Sequence, residues 1–223
     1  AGDDPVVRRA AFRGLRRFPS VANRARVDPT RPWTWWSDAS QGGGILGAIG
    51  SHVLDSVRWL LGDEIVLHGA TLGRVYPTRV DEEGATRPVT ADDIASLTFR
   101  AGEVVGTVLL HGAALDDAID LFTVRGTEGS LVIDRSLKLY YGKRGGPFKE
   151  YLTHLPAMVP NRFRASGFAA GSVLFADALR RALDEGDADA LADAATVEDG
   201  LAVQRVTDRA RRLDADAGAP SEA

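Results

Sequence analysis

Apolar residues along this 223-residue chain follow two spacings, and the order in which these alternate predicts the architecture. Val6 to Leu15 interleaves apolar with basic residues after Pro5 and reads as a strand with one solvated face. A Pro- and Trp-rich connection follows from Pro19 to Gln41. So long an irregular segment in a compact domain is usually functional or packs as an ordered lid. From Ile45 to Leu61 the period becomes helical, with Ile45, Ile49, Val53, Val57 and Leu60 on one stripe and Gly62 as a natural stop. Strand-like runs then occupy Ile65 to Tyr76, Asp93 to Arg100, Val104 to Leu110, Ile119 to Arg125, Ser130 to Ile133 and Leu137 to Tyr141, with Thr78 to Pro88 a polar hairpin or loop. Ala101-Gly102 and Gly126-Thr127-Glu128-Gly129 supply turns between them. After a loop from Gly142 to Arg164, Phe168 to Leu183 turns helical with Phe168, Val173, Leu174 and Leu179 among alanines. Thr196 and Asp199 form the capping box of a last helix reaching about Leu213, with Val203, Val206, Ala210 and Leu213 on one face. Five or six successive strands bracketed by helices predict an α+β fold: an open, mostly antiparallel sheet with helices covering one face. Residues 1–213 form one domain, and Asp214 to Ala223 a small, polar, frayed tail.

Composition narrows the function classes. A hydrophobic content of 44% supports a sizeable core. The net charge of −4 argues against nucleic acid as partner, although Arg8, Arg9, Arg13, Arg16, Arg17, Arg24 and Arg26 cluster near the start. Without cysteine there is no disulfide, thiolate catalysis or thiolate-held zinc. No apolar run approaches the roughly 18 residues of a membrane span. Ala1-Gly2-Asp3-Asp4-Pro5 lacks the features of a signal peptide, so a cytoplasmic location is expected. It also lacks an initiator Met, which points to a piece of a longer protein. His and carboxylate residues show no metal-ligand spacing, so no metal is expected.

The chemistry concentrates at Gly42-Gly43-Gly44 and the helix behind it, which carries His52 and Asp55. Gly42, Gly44 and Gly47 satisfy the G-x-G-x-x-G spacing of a dinucleotide-binding loop. That motif needs a buried strand immediately before the first glycine and a βαβ unit around it. Here Trp35-Trp36-Ser37-Asp38-Ala39-Ser40-Gln41 precedes it, and Asp63 and Glu64, near the distance of a ribose-binding acid, follow a helix stop. The glycines therefore read as delivering a helix, with His52 turned to a substrate.

In that form the segment resembles the second domain of the glucose–fructose oxidoreductase / inositol dehydrogenase (Gfo/Idh/MocA) family. Its motif there is G-G-G, a few apolar residues, then D-x-G-x-H-x-x-D, and Gly42-Gly43-Gly44, Gly50, His52 and Asp55 stand in register with it. Thr90 to Ser96 resembles the family's entry to a central strand, and Gly102 to Thr107 its hairpin partner. Val124 to Leu131 is similar to the V-x-G-T-E-G-x-L turn, and Ala195 to Gln204 to the final helix. The four motifs occur in order over nearly the whole chain. The resemblance implies a dihydrodipicolinate-reductase-like C-terminal domain that binds substrate and associates into homo-oligomers through its sheet. It also implies an N-terminal Rossmann domain holding NAD or NADP, a partner domain that this chain lacks.

What the family's activity implies is hydride transfer from a carbinol carbon of a sugar, polyol or related hydroxy compound, with a base removing the hydroxyl proton. Histidine suits that work because its ordinary pKa lies near neutrality. His52 and Asp55 are the candidate catalytic residues, and Trp33, Trp36, Gly43 and Gly44 the candidate substrate-binding residues. The tryptophans could stack on a sugar ring or equally pin the long loop to the domain. Two positions depart from the family. Ala48 stands where its aspartate precedes the histidine by one turn, and Lys138, Lys143 and Lys149 all come too late to be the lysine of its E-K-P motif. The chain alone is thus expected to bind no cofactor and to be inactive in isolation. Two other readings stay open: a non-catalytic assembly module using an open sheet face, and a small stand-alone sugar-active enzyme using His52 and Asp55.

Overall fold

The computed structural model describes residues 20–21, 31–113, 121–134, 138–151, 155–164 and 167–218. The expected strand from Val6 to Leu15, the whole arginine cluster, and His154 lie outside them. The fold is α+β. Strands β1 (Ser20–Val21), β2 (Ile65–Gly73), β5 (Ile94–Ala101) and β6 (Val104–His111) form a four-stranded sheet in the order β1-β6-β5-β2. Strands β7 (Leu121–Arg125), β8 (Gly129–Asp134), β9 (Leu139–Lys143) and β10 (Lys149–Tyr151) form a second in sequential order, and β3 (Thr78–Val80) with β4 (Thr86–Pro88) makes a hairpin. All pairings are antiparallel except β1 with β6. Neither β1 nor β10 is predicted by pattern, since two or three residues are too few to show a period.

Helix α1 (Ser51–Leu61) and helix α3 (Val197–Gly218) cover the inner face of the first sheet. On β5 the buried residues alternate as Ala95, Leu97, Phe99 and Ala101, and on β6 as Val104, Val108 and Leu110. They pack in one core with Ile45, Leu46, Leu54 and Val57 and with Val203, Val206 and Ala210. Gly106 sits under the Phe99 ring, where any Cβ would collide. The outer face stays open: Val66 is 58% exposed, Val105 50% and Leu109 41%.

Three expectations are adjusted. The helix expected from Ile45 is wider at its start, a π-turn over Leu46–Gly50. Its glycines allow close approach, because a Cβ on Gly47 would lie 2.8 Å from the Gly42 carbonyl oxygen and one on Gly50 3.0 Å from Leu110. This turn rotates the buried edge onto Leu46 and Leu54, in place of Ile49 and Val53, which are only half-buried. The last helix continues past Leu213 to Gly218, so the small polar residues that read as a frayed tail begin as helix, alanine being the strongest helix former. Helix α2 (Gly167–Asp184) forms as expected, but Phe168 is 83% exposed and Phe175 52%.

Candidate functional site

The route into the site is built by polar side chains acting on backbone. Asp38 accepts hydrogen bonds from the Ser40 amide and hydroxyl (2.9 and 2.8 Å) and from Gln41 Nε2 (2.9 Å), which closes the turn before the glycines. These donors, Gln41 foremost and Ser40 next, hold its pKa below the ordinary carboxylate range. The Gly43 and Gly44 amides then donate to the carbonyls of Asp38 (2.9 Å) and Trp36 (3.0 Å). A Cβ at Gly43 would lie 2.5 Å from two carbonyl oxygens, so only glycine fits.

Asp92, just before β5, organises the next step. Its carbonyl accepts from the Ile45 amide at 2.9 Å, and its carboxylate Oδ2 accepts from the Leu46 amide at 2.8 Å. Gly44, at φ +98°, leaves room for that carboxylate. Asp92 is buried, and desolvation raises its pKa, partly offset by the Leu46 amide. The Leu46 amide at the helix start, a group that an anion at a helix N-terminus would use, thus already holds an internal carboxylate.

Helices α1 and α3 run antiparallel. At one end Arg58 Nη1 meets Asp199 Oδ1 at 2.9 Å, and at the other the Arg211 guanidinium comes within 3.4 Å of where a Gly47 Cβ would stand. Asp199 also completes the capping box: its Oδ2 accepts from the Thr196 amide (2.9 Å) and hydroxyl (2.8 Å), and its own amide donates to Thr196 Oγ1 (3.2 Å). Those bonds, the Thr196 amide first, together with Arg58, lower its pKa to about 2. Arg58 in turn is raised, chiefly by its bond to Glu64 at 2.7 Å.

Between the two helices lies an open groove of about 310 Å³. From α1 and the turn before it come Gly42, Gly47, Ser51, His52 and Asp55; from α3 and its approach come Thr196, Gly200, Val203, Gln204, Thr207 and Arg211. His52 is exposed and Asp55 half-buried, and neither side chain makes a hydrogen bond or ion pair among the described residues. His52 is therefore not occupied by capping a backbone carbonyl. Asp55 is not taken by Arg58, which Glu64 and Asp199 hold.

The other candidates lie elsewhere. Trp33 Nε1 donates to the Pro88 carbonyl (2.9 Å), its amide donates to the Val80 carbonyl (2.7 Å), and Arg87 stacks over its ring at 5.2 Å. It pins the long loop to the β3–β4 hairpin. Trp36 lines a separate small recess with Arg79, Val89 and Asp92. Gly43 and Gly44 shape the turn, and neither lines the groove that holds His52 and Asp55. Sequence reasoning missed Gln204, Thr207 and Arg211. Their i, i+3, i+7 spacing marks a polar stripe on the last helix, but nothing in the sequence says that it faces α1 and not solvent. Among the described residues no group of three or more His, Asp or Glu is gathered to hold a metal, and no helix is long and apolar enough to cross a membrane.

With that geometry in view, comparison with known proteins assigns the class. The GFO/IDH/MocA C-terminal domain family matches residues 13–132, just over half of the chain. The chain belongs to that family. An uncharacterised oxidoreductase of Synechocystis sp. is 34% identical over 113 residues, covering 49% of this chain and 30% of the relative. Levoglucosan dehydrogenase of Pseudarthrobacter phenanthrenivorans is 29% identical over 124 residues, covering 48% and 32%. The matches thus span about a third of the curated relatives. In fold, the chain is similar to levoglucosan dehydrogenase solved with NADH and L-sorbose, with a TM-score of 0.75 at 23% identity over 95% of this chain and 60% of that one. It is similar also to the transcriptional regulator Gal80p of Kluyveromyces lactis, with a TM-score of 0.68 at 16% identity over 96% and 58%.

Proposed function

We propose that this chain is the substrate side of an NAD(P)-dependent oxidoreductase acting on a sugar, polyol or related hydroxy compound. The observation that carries the reading is the α1–α3 groove, which presents His52 and Asp55 without competing partners among the described residues, beside the hydroxyl- and amide-bearing Thr207 and Gln204. Such groups suit a polyhydroxylated ligand, whose many donors and acceptors must be matched when it leaves water. In this reading NAD or NADP, the hydride acceptor, is held by the part of the relatives that this chain does not cover, because Asp92 already takes the Leu46 amide and the space beside Gly44.

The chain's own residues handle the proton. His52 accepts it from the hydroxyl at the carbon being oxidised and returns it in the reverse direction. Asp55, one turn along the same helix, is the groove carboxylate placed to orient the ring. Ala48 leaves His52 without the acid that resides one turn before it in the family's motif, so Asp55 carries that role alone. A protein that joins this chain to its cofactor-binding segment oxidises a polyol, and His52→Ala lowers kcat by about 100-fold or more. The chain by itself turns over nothing. Equal turnover by the His52→Ala protein refutes the assignment.

A further inference from the structure

Resting on that reading, we infer that the groove selects a hydroxy compound bearing a carboxylate, seated on Arg211, over a neutral sugar. Arg211 lines the groove, its side chain 31% exposed. Its ion-pair partner among the described residues is Asp208 Oδ1, one turn away on α3, at 3.4 Å. The same oxygen accepts from Gln204 Nε2 at 2.8 Å, the shorter contact. Asp208 is therefore satisfied without Arg211, and an incoming carboxylate replaces a long, solvent-screened contact. Asp92, a buried acid, is turned to the Leu46 amide and attracts Arg211 only through space, without an ion pair.

Placement along the groove sets the ligand's length. The Arg211 guanidinium crosses at the level of Gly47, five residues before His52, which is about 7 Å of axial rise. A carboxylate on Arg211 and a reacting hydroxyl at His52 are thus about the width of one sugar ring apart. Asp55, the groove's own carboxylate, lies beyond His52 from Arg211, so the anionic end has one favoured direction. A planar guanidinium pairs with a carboxylate through two parallel hydrogen bonds, a geometry that a lone arginine supplies in full. A six-carbon sugar acid meets both conditions.

The test is a titration of this chain with glucuronate, glucose and inorganic phosphate, followed by NMR shifts of the His52 imidazole, for the unmodified chain, Arg211→Gln and Arg211→Lys. Glucuronate is expected to bind about tenfold more tightly than glucose, to lose that advantage in Arg211→Gln and to keep part of it in Arg211→Lys. Equal response to glucose and glucuronate overturns the role of Arg211 and leaves the sugar-site reading standing. Phosphate matching glucuronate also overturns it, as generic anion attraction. No response to any sugar overturns both.

Discussion

At the scale of single residues, the most consequential side chain is one the motif did not single out. Asp92 joins β5 to the start of the His52 helix through its carbonyl and its carboxylate, and three of the surrounding backbone positions are glycine. Asp92→Ala leaves the Leu46 amide buried and without an acceptor, and is expected to destabilise the chain by about 1–3 kcal/mol in chemical denaturation. Asp92→Asn keeps an acceptor without the buried charge and is expected to lose less. Equal loss from both variants would show that the amide bond is not what matters. The sequence announced the glycines but not their partner, because a Gly-rich turn looks the same around a phosphate and around a carboxylate.

At the scale of elements, the site depends on how α1 and α3 are clamped. Asp199 caps α3 and reaches across to Arg58 on α1, and its pKa falls to about 2 from an ordinary value of 3.8. A carboxylate with a lowered pKa in the folded state adds stability that is present above the unfolded value and disappears as the pH falls through the folded one. Stability attributable to Asp199 is therefore full above about pH 4 and lost towards pH 2. Asp199→Asn flattens that part of the profile, measured by denaturant midpoints from pH 5 to 2. An unchanged slope would deny the clamp. The capping box and the apolar face of this helix were legible from Thr196, Asp199 and the spacing of Val203, Val206 and Ala210. Its polar stripe was not assignable, since which helix it faces depends on tertiary packing.

At the scale of the whole molecule, strand alternation and turn glycines predicted β2, β5, β6, β7, β8 and β9 to within a few residues, and β5 and β6 show the alternation most fully, with one buried face each. The division into two sheets was not legible, as strand pattern fixes faces and not partners. The place of the tryptophans was not legible for a related reason: Trp33 is committed to the β3–β4 hairpin, while the Trp36 carbonyl accepts from the Gly44 amide and its side chain lines a separate recess. On the outer face of the first sheet, Val66, Val105 and Leu109 are exposed, with Arg100 standing between Val66 and Val105. We propose that this face carries self-association. Light scattering is expected to show a dimer or larger species that Val105→Lys shifts towards monomer, and a monomer at high concentration would rule it out.

The division of labour between this chain and its cofactor-binding counterpart is the central claim, and calorimetric titration of the isolated chain with NADH tests it most directly. No saturable heat up to millimolar NADH is expected, because Asp92 already holds the Leu46 amide and Gly43 and Gly44 face internal carbonyl and carboxylate oxygens. Stoichiometric micromolar binding by this chain would contradict it.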